Sequence, residues 1–271
     1  MRITVLGQGA MGSRMSDRLA AAGHEVHRWN RTGSRESPRL AAANADMVIA
    51  MVRDDEASRA VWLDEDHGAL RGLQRDTIAI ESSTLSVAWV RELGVNMAVR
   101  QRAFLDAPVL GSRPQAEAGQ LIHLIGGDQA ILEKARPVLS AMGGKQLHAG
   151  DVGSGAALKL VANTLFGVQV AVLGELIGQM QSFGLDPARA IGLLGETPLL
   201  SPAGKGAAGL MLAGSHEPMF PVELVAKDFR YALCDRHSAM PVASAAGTVF
   251  ERAARGGLGS MNLTSVVGLY Q

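Results

Sequence analysis

The sequence predicts two domains: a doubly wound α/β domain with a parallel sheet, followed by an all-helical domain. In the first half of the 271 residues, short apolar segments typical of buried strands alternate with segments of helical periodicity. That alternation is the pattern of strands joined by helical crossovers. In the second half, the apolar residues recur at helical spacing and no convincing strand pattern is found. We place the boundary between residues 1–152 and 153–271, at the start of a long helix that joins the domains.

The individual elements follow from the same periodicities. The first domain is predicted to contain a helix at Met11–Ala22 and strands at Ile3–Leu6, Glu25–Trp29, Met47–Val52, Thr77–Glu81, Phe104–Leu105 leading into Ala107–Val109, and Leu121–Gly126. The second is predicted to contain helices at Ala156–Phe183, Pro187–Gly195, Gly204–Leu212, Val222–Ser238 and Pro241–Arg255. The first of these five helices is unusually long, and small residues along it would let other helices approach closely, in this subunit or a second one.

The composition argues against several classes of function. The formal net charge is zero, so no overall field attracts nucleic acid or acidic membranes. The only cysteine, Cys234, allows no intrachain disulfide and indicates a reducing compartment. None of the seven histidines lies in a zinc-binding motif, so no metal site is expected.

No membrane association is expected from the sequence. The longest apolar stretch, 160–177, carries Asn163, Gln169 and Glu175, and the N-terminus passes into a strand pattern without the features of a signal peptide. We therefore expect a soluble, cytoplasmic protein.

A glycine-rich turn follows the first predicted strand and opens the first predicted helix. It reads Gly7, Gln8, Gly9, Ala10, Met11, Gly12, which is the pattern G-x-G-x-x-G. Such glycines allow a tight turn, close approach of a pyrophosphate to backbone N–H groups, and close packing of helix on strand. The phosphates then meet the positive end of the helix. In this strand–turn–helix context, the pattern predicts dinucleotide binding by Gly7, Gly9, Ala10, Met11 and Gly12.

The end of the second strand indicates which dinucleotide is bound. Enzymes that use NAD usually place Asp or Glu there, but this chain has Asn30, Arg31 and Thr32. An arginine and a hydroxyl can hold a 2′-phosphate that a carboxylate would repel, and Arg28 and Arg35 could also approach it. We therefore predict NADPH, with NADH as the alternative. The competing interpretation is that Arg31 is only a solvated turn residue.

Lys159 and Asn163 are the candidate catalytic residues. They are four positions apart in the predicted long helix, so their side chains share one face. An ammonium group in a partly desolvated cleft can donate a proton to a carbonyl oxygen, because burial brings the pKa of an amine closer to neutrality. The alternative is a lysine that extends to the surface of the helix. The apolar residues on both sides of Lys159, and the glycine-rich turn before it, favour the catalytic interpretation.

Four segments together resemble the β-hydroxyacid dehydrogenase family. The first runs from Gly7 to Met15. The others are Asp106-Ala107-Pro108-Val109 with Gly111, Ala116 and Gly119; Gly153-Ser154-Gly155 with Lys159 and Asn163; and Phe220, Leu224, Lys227 and Asp228. The Asn30-Arg31-Thr32 and Gly111-Ser112-Arg113 segments most resemble the branch that reduces glyoxylate and succinic semialdehyde, within a family typified by 3-hydroxyisobutyrate dehydrogenase. The resemblance implies a Rossmann domain, an NAD(P)-dependent oxidoreductase and a helical substrate and dimerisation domain.

The resemblance also implies roles for individual residues. Thr84 would lie near the nicotinamide, and Met51 and Val52 would pack along the cofactor unless they are ordinary core residues. Lys227 would close over the cofactor. The residues implied to bind or surround substrate are Gly111, Ser112, Phe220 and Asp228. Lys227 and Asp228 could instead be a simple ion pair on a helix face.

The chain departs from the family pattern in three ways. Leu110 stands where the family usually carries a serine, which removes one hydroxyl for a substrate carboxylate. Arg113 could compensate by binding such a carboxylate through two N–H groups. Only 13 residues separate Thr32 from Asp46, where the family normally has a helix and another strand. We therefore predict a trimmed sheet beside the adenine pocket.

The expected activity is NADPH-dependent reduction of a small aldehyde or keto acid, or the reverse oxidation of a β-hydroxyacid. Two alternatives stay open. One is imine reduction, although imine reductases generally lack the lysine at the position of Lys159. The other is a catalytically silent dinucleotide-binding module, which usually loses that lysine too. The expected assembly is a homodimer or homotetramer.

Overall fold

The computed structural model describes residues 1–234 and 239–270. The chain divides into two compact units, Met1–Lys159 and Leu160–Gln271. The division falls inside the long helix, a few residues after the boundary expected from the sequence. The first unit is an α/β domain of the Rossmann type and the second is helical, as the sequence predicts.

Eight strands form one sheet within the described part of the first unit. Their bounds are β1 Arg2–Leu6, β2 Glu25–Trp29, β3 Met47–Ala50, β4 Ile78–Glu81, β5 Ala103–Asp106, β6 Val109–Leu110, β7 Ile122–Gly127 and β8 Lys145–Gly150. The order is β2-β1-β3-β4-β5-β7-β6, and β8 pairs with β7. Strands β1 to β5 pair in parallel, whereas β7 runs antiparallel to β5 and β6. The carboxyl ends of the five parallel strands therefore meet at one edge of the sheet.

The sheet is trimmed at the β2 side, as the short connection predicts. Strand β2 is the outermost strand, and its connection to β3 contains only one five-residue helix, α2 (Pro38–Ala42). The next strand in the sequence, β3, does not extend the sheet beyond β2 but pairs with the opposite side of β1. The side chain of Trp29 closes the β2 end by donating from Nε1 to the carbonyl oxygen of Glu36 at 2.8 Å.

Helices cover both faces of the sheet. The remaining helices of the first unit are α1 Gly12–Ala21, α3 Asp55–Leu63, α4 Val87–Val99, α5 Arg113–Ala118 and α6 Gln129–Met142. One apolar core contains Trp62 of α3 and Leu93 of α4, and a second contains Leu19 of α1 and Leu132 of α6. Alternate residues of β1 and β3 contribute to the two cores, as expected for strands buried on both faces.

The second unit consists of helices packed around one apolar core. Helix α7 is Ser154–Met180, of which the part from Leu160 belongs to this unit, and it continues as a 3-10 turn at Gln181–Phe183. The other helices are α8 Pro187–Leu194, α9 Pro202–Leu212, α10 Val222–Leu233 and α11 Pro241–Ala253, followed by short helical turns at Ala254–Leu258 and Leu263–Leu269. The rings of Phe229 and Phe250 stack at its centre with centroids 5.6 Å apart. The predicted helix Val222–Ser238 ends at Leu233, and residues 235–238 of that prediction lie outside the described residues.

Small residues on α7 allow close packing inside this unit. A Cβ on Gly167 would approach the Phe229 ring to 2.6 Å, and one on Gly178 would lie 2.6 Å from the Cβ of Tyr270. These glycines therefore let α10 and the C-terminal segment lie directly on α7.

Two strand predictions need correction, and one strand was not predicted. The strand predicted at Met47–Val52 ends at Ala50, and the one predicted through Val109 is interrupted after Asp106. Pro108 has no N–H to continue the ladder, so the chain bends there. Strand β8 was not predicted, because Leu147 is the only large apolar residue in Lys145–Gly150 and the strand lacks a buried face. A strand with most of its side chains in solvent carries no alternation of polarity to detect.

The length and composition of the α7 segment are those of either a membrane span or a core helix. Among the described residues, Ser154–Phe183 is long and apolar enough to cross a membrane by length and composition. Core helices of globular domains pass the same test, and 44% of its most apolar stretch is buried within the protein. The feature is therefore weak evidence for a membrane span.

The buried His123 makes stability depend on pH. It lies in β7 with no exposed surface, and burial lowers its pKa to about 4 from 6.5. Between about pH 4 and pH 6.5, His123 binds a proton in the unfolded chain but not in the folded chain. The stabilisation is therefore fully present above pH 6.5 and is lost as pH falls toward 4. We expect His123 to reduce the free energy of unfolding by up to roughly 3 kcal/mol over this interval. Urea unfolding at several pH values measures the effect.

The variant His123→Leu tests this assignment, because leucine has a similar size, suits a buried position and does not titrate. Its loss of stability at low pH should be smaller than that of the parent protein. The exposed His67 of the same unit provides a control, His67→Leu, which should retain the parental pH dependence. Identical pH dependence in His123→Leu and the parent would contradict the assignment.

Candidate active site

The glycine turn is fixed by direct backbone packing at the ends of β1 and β3. Gly7 has φ +107°, and a Cβ there would lie 2.2 Å from the carbonyl oxygen of Met51. A Cβ on Gly12 would lie 1.9 Å from the carbonyl oxygen of Gly7. By contrast, a Cβ on Gly9 would meet no protein atom within 4 Å. Gly7 and Gly12 are thus required by the protein itself, whereas Gly9 leaves open space over the turn, as a bound pyrophosphate requires.

The turn leads directly into helix α1. Gly12 is the first residue of α1, and Met11 precedes it at the N-cap position. Ala10 is exposed and Met11 is half-buried. The first N–H groups of α1 therefore lie at the carboxyl edge of the sheet, beside the open space over Gly9, where an anion is stabilised.

The segment after β2 forms a closed turn with an exposed tip. The backbone N–H of Asn30 donates to the Ser34 hydroxyl at 3.0 Å, and the Ser34 N–H donates back to the Asn30 carbonyl at 2.9 Å. Arg31 and Thr32 lie at the exposed tip of this turn. Arg28, which the sequence suggested as a further phosphate ligand, forms an ion pair with Asp17 at 2.7 Å.

The segments after β3 and β4 are joined by hydrogen bonds. The backbone N–H of Val52 donates to the Ser83 hydroxyl at 2.8 Å, and the Ser83 N–H donates to Glu81 at 2.9 Å. Met51 and Val52 are half-buried, and the N–H of Met51 donates to the Leu6 carbonyl at 2.9 Å. These bonds hold Met51, Val52 and the half-buried Thr84 at the same sheet edge as the glycine turn.

Glu81 is a residue whose importance the sequence analysis missed. Its fully buried carboxyl group accepts hydrogen bonds from the Ser58 hydroxyl at 2.6 Å and the Trp62 indole at 2.9 Å, besides that from Ser83. Burial raises the pKa of Glu81, and the hydrogen bonds oppose that effect. The sequence does contain a signal for this role, because Glu81 directly follows the apolar residues Ile78–Ile80. A carboxyl group at the end of a buried strand needs several hydrogen-bond donors.

The Gly111–Arg113 segment begins the short helix α5. Gly111 is exposed with φ +117°, which favours glycine at this position. Ser112 forms a capping box with Gln115, whose side-chain oxygen accepts from the Ser112 N–H at 2.9 Å. Arg113 is the first residue of the helix and is half-buried. The segment is thus ordered by its own hydrogen bonds.

Lys159 lies in the second turn of α7 and is buried, with 8% of its surface exposed. The surface lysine considered from the sequence is therefore excluded. The start of α7 is held by Asp106, the last residue of β5, whose carboxylate accepts from the N–H groups of Gly153 at 2.8 Å and Ala156 at 2.7 Å. Lys159 thus belongs to the same unit as the glycine turn, on a helix that starts at the end of a sheet strand.

The second unit contains a polar cluster of Asn163, Lys227 and Asp228, all buried. The amide nitrogen of Asn163 donates to Asp228 Oδ2 at 2.6 Å, and Lys227 Nζ lies 3.1 Å from Asp228 Oδ1. Lys227 also lies over the ring of Tyr231, at 4.9 Å from its centroid. The ion pair considered from the sequence is present, and because it is buried it differs from a solvated pair on a helix face.

Phe220 precedes α10 and is held through its backbone. Its N–H donates to the side-chain oxygen of Asn262 at 3.0 Å, and its carbonyl accepts from the Leu263 N–H at 2.8 Å. The ring packs at the margin of the helical core.

Each of the two units therefore contains part of the predicted site. The first unit places the candidate cofactor residues along one sheet edge and holds Lys159 on a helix anchored to that sheet. The second places Asn163, Lys227 and Asp228 in one hydrogen-bonded cluster. Within the described residues, no group of three or more His, Cys, Asp and Glu side chains that could hold a metal ion is present.

Comparison with known families covers both units. A model described as the NAD-binding domain of 6-phosphogluconate dehydrogenase matches residues 2–150. A second, described as NAD-binding of NADP-dependent 3-hydroxyisobutyrate dehydrogenase, matches residues 153–270.

Two proteins of Arabidopsis thaliana are similar to this chain over nearly its whole length. Glyoxylate/succinic semialdehyde reductase 2, chloroplastic, is 33% identical over 280 aligned positions, which cover 98% of this chain and 78% of that protein. Glyoxylate/succinic semialdehyde reductase 1 is 32% identical over 98% of this chain and 97% of that protein.

Solved structures show the same architecture. 3-Hydroxyisobutyrate dehydrogenase of Mycobacterium tuberculosis with L-serine has a TM-score of 0.90 and 27% identity, covering 99% of this chain and 98% of that one. An imine reductase of Myxococcus stipitatus with NADP⁺ has a TM-score of 0.61 and 22% identity, covering 100% and 99% of the two chains. The second comparison shows a shared fold alone.

The fold and the glycine turn, together with these matches, define an NAD(P)-dependent oxidoreductase that acts on hydroxyl or carbonyl groups. The chain belongs to the β-hydroxyacid dehydrogenase family, as its four motifs indicated.

The open space over Gly9 gives a test of cofactor binding by this turn. A methyl group in Gly9→Ala would meet no protein atom, so the melting temperature should stay within about 2 °C of the parent. It would occupy the place of the pyrophosphate, so the Kd for NADPH should rise at least about tenfold. Thermal unfolding and calorimetric titration measure the two quantities.

Gly144→Ala is the matched control, because a Cβ at Gly144 also meets no protein atom within 4 Å. Gly144 directly precedes β8, which is separated in the sheet from β1 and its glycine turn by β3, β4, β5 and β7. This variant should change neither the melting temperature nor the Kd. Unchanged NADPH affinity in Gly9→Ala would exclude the turn as the pyrophosphate site.

Proposed function

We propose that this chain is an NADPH-dependent reductase of small aldehydes or keto acids, such as glyoxylate or succinic semialdehyde, with Lys159 as the proton donor. The observation that supports it best is a buried lysine on a helix whose start is anchored at the carboxyl end of a sheet strand. That sheet edge also carries the candidate dinucleotide-binding residues. The two plant relatives are named for the reduction of glyoxylate and succinic semialdehyde.

Lys159 can supply the proton that reduction of a carbonyl requires. A nicotinamide cofactor, when bound, would supply the hydride to the carbonyl carbon, and negative charge would then develop on the oxygen. A buried ammonium group stabilises that charge more strongly than an exposed one, because water does not screen it, and it can transfer a proton to the oxygen. Oxidation of a hydroxyacid uses the same lysine, as a neutral amine, to remove the proton.

Asn163 lies one helical turn after Lys159 on α7 and is a candidate to orient the reacting groups. Its amide nitrogen is engaged by Asp228, which fixes the plane of the amide. The ion pair between Asp228 and Lys227 holds the carboxylate in turn. We assign Asn163 to substrate or lysine positioning, Asp228 to support of Asn163, Lys227 to the cofactor side of the site, and Phe220 to the wall of the substrate pocket.

A carboxylate on the substrate is the group that the Gly111–Arg113 segment suits. Gly111 offers an exposed backbone, Ser112 a hydroxyl and Arg113 a guanidinium group. Leu110 replaces a hydroxyl at the position where the family usually has serine, so Arg113 would take over the charge recognition. This arrangement favours short acids that carry an aldehyde or ketone.

The two alternatives have less support. The imine reductase structures share the fold at 22% identity, but Lys159 fits the carbonyl reductases better. Cytokine-like nuclear factor N-PAC of Mus musculus is 30% identical over 93% of this chain and 48% of that protein, so a similar region occurs in a protein named for a nuclear role. A retained, buried lysine favours an active enzyme over a silent module.

The decisive assay is oxidation of NADPH and NADH with glyoxylate, succinic semialdehyde, methylmalonate semialdehyde and a cyclic imine. Turnover of an aldehyde acid, faster with NADPH, is expected. Turnover of the imine alone would favour the first alternative. Cofactor binding without turnover of any of the four would favour the silent module.

The role of Lys159 is tested by Lys159→Ala. Removal of the proton donor should lower kcat at least about 100-fold, because general acid catalysis contributes that much or more. The Kd for NADPH should change little. The exposed Lys145 of the same unit gives the matched control, Lys145→Ala, which should retain parental kcat. An undiminished rate in Lys159→Ala would remove the assignment.

The preference for NADPH is tested by Arg31→Ser. Loss of a charge-assisted bond to the 2′-phosphate should lower kcat/KM for NADPH by about tenfold or more and leave that for NADH within about twofold. Arg28→Ser is the matched control, because Arg28 is engaged with Asp17. Equal losses with both cofactors, or none with either, would contradict a role for Arg31 in selection.

A further inference from the structure

We propose that Asp106 is a positioning residue, which fixes the start of helix α7 and thereby the place of Lys159. The inference rests on the proposed function, because it assigns Asp106 an effect on the rate through that lysine. It concerns residues of the first unit alone.

Asp106 binds the first turn of α7 with both of its carboxylate oxygens. Oδ1 accepts from the Gly153 N–H at 2.8 Å and Oδ2 from the Ala156 N–H at 2.7 Å. Burial raises the pKa of Asp106, and these N–H groups oppose that effect by stabilising the charged form. These N–H groups have no partner within a helix. A negative charge at this end of the helix is also favoured by the helix dipole. Asp106 thus caps α7 from a strand more than forty residues earlier in the sequence.

Two glycines lie directly against this carboxylate. A Cβ on Gly126 would lie 2.3 Å from Asp106 Oδ1, and one on Gly155 would lie 2.8 Å from Oδ2. Asp106 itself is fully buried. Glycine at these two positions therefore lets strand β7 and helix α7 close around the carboxylate. Gly155 is the second glycine of the G-x-G segment before Lys159, and the absence of a side chain there permits the approach of Asp106.

The geometry of the cap determines where Lys159 lies. Ala156, whose N–H is bound, is three residues before Lys159, less than one helical turn. A helix start that is free to fray or rotate would move the ammonium group by an ångström or more. Misplacement on that scale can cost about 100-fold in rate, because proton transfer requires the donor within hydrogen-bond distance.

An asparagine cannot reproduce the cap. Its oxygen can accept one of the two N–H groups, but its amide nitrogen would face the other N–H group, donor against donor. Asp106→Asn is therefore expected to loosen the start of α7 while it preserves the volume of the side chain. Asp106→Ser, which is smaller and keeps one acceptor, is the second variant.

The matched control is Asp128, which caps helix α6 of the same unit. Its Oδ1 accepts from the N–H groups of Ala130 at 2.6 Å and Ile131 at 3.3 Å, but α6 carries no candidate site residue. Asp128→Asn therefore makes the same side-chain change at a cap that uses a single oxygen, which asparagine retains, and it leaves the proposed site untouched. Its kcat should stay within about twofold of the parent.

The experiment is a double-mutant cycle of Asp106→Asn and Lys159→Ala, read by kcat with an aldehyde acid and by the Kd for NADPH. Asp106→Asn alone should lower kcat at least about tenfold and leave the Kd within about twofold. In the Lys159→Ala background the same change should lower kcat less than about twofold, because the group it positions is already absent. Asp106→Ser should give the same pattern.

Each other outcome has a defined meaning. A full rate in Lys159→Ala overturns the proposed function, and the inference with it. If Lys159→Ala is impaired but Asp106→Asn lowers kcat equally in both backgrounds, Asp106 acts independently of the lysine and only the inference fails. A parental rate in Asp106→Asn also overturns it. If both Asp106 variants fail to fold while Asp128→Asn folds, Asp106 is a stability residue and not a positioning residue.

Discussion

The parallel pairing of β1 to β5 is the constraint on which the rest of the structure depends. Because these strands run in one direction, the segments that follow them all emerge at the same edge of the sheet. The glycine turn, the Asn30–Thr32 turn, Met51 with Val52, and Thr84 are each the first or nearly the first residues after a strand. Residues far apart in sequence therefore become neighbours without any direct attraction between them.

Two buried carboxylates organise that edge. Glu81 and Asp106 are the last residues of β4 and β5 and are partners in the strand register. Each is surrounded by N–H and O–H donors, but Glu81 binds α3 and its own following loop, whereas Asp106 binds the start of α7. Burial of a carboxylate is unfavourable unless its oxygens are satisfied, so each one fixes the elements that supply its donors. Glu81 thus orders the loops that carry candidate cofactor residues, and Asp106 orders the start of the helix that carries Lys159.

Much of this arrangement could be predicted because its signals are local. The G-x-G-x-x-G turn needs glycine wherever backbone meets backbone, and the Gly7 and Gly12 approaches are the direct cause of that pattern. The long helix follows from periodicity, and the trimmed sheet from a connection too short for another strand. Strand β8 lacks such a signal, because its polar, exposed side chains give no alternation. Glu81 and Asp106 carry only a weak one, since an acidic residue at the end of a strand reads equally well as a surface residue.

The two-domain plan, the family and the residue types available for chemistry are encoded in local sequence, since each of them depends on periodicity or on motifs within short segments. The tertiary structure alone decided that Lys159 is buried, that Arg28 is engaged by Asp17, and that Asp106 holds a helix from the end of a strand. Those facts depend on contacts between segments distant in the chain. The geometry of such contacts is set by packing, which no local pattern of residues records.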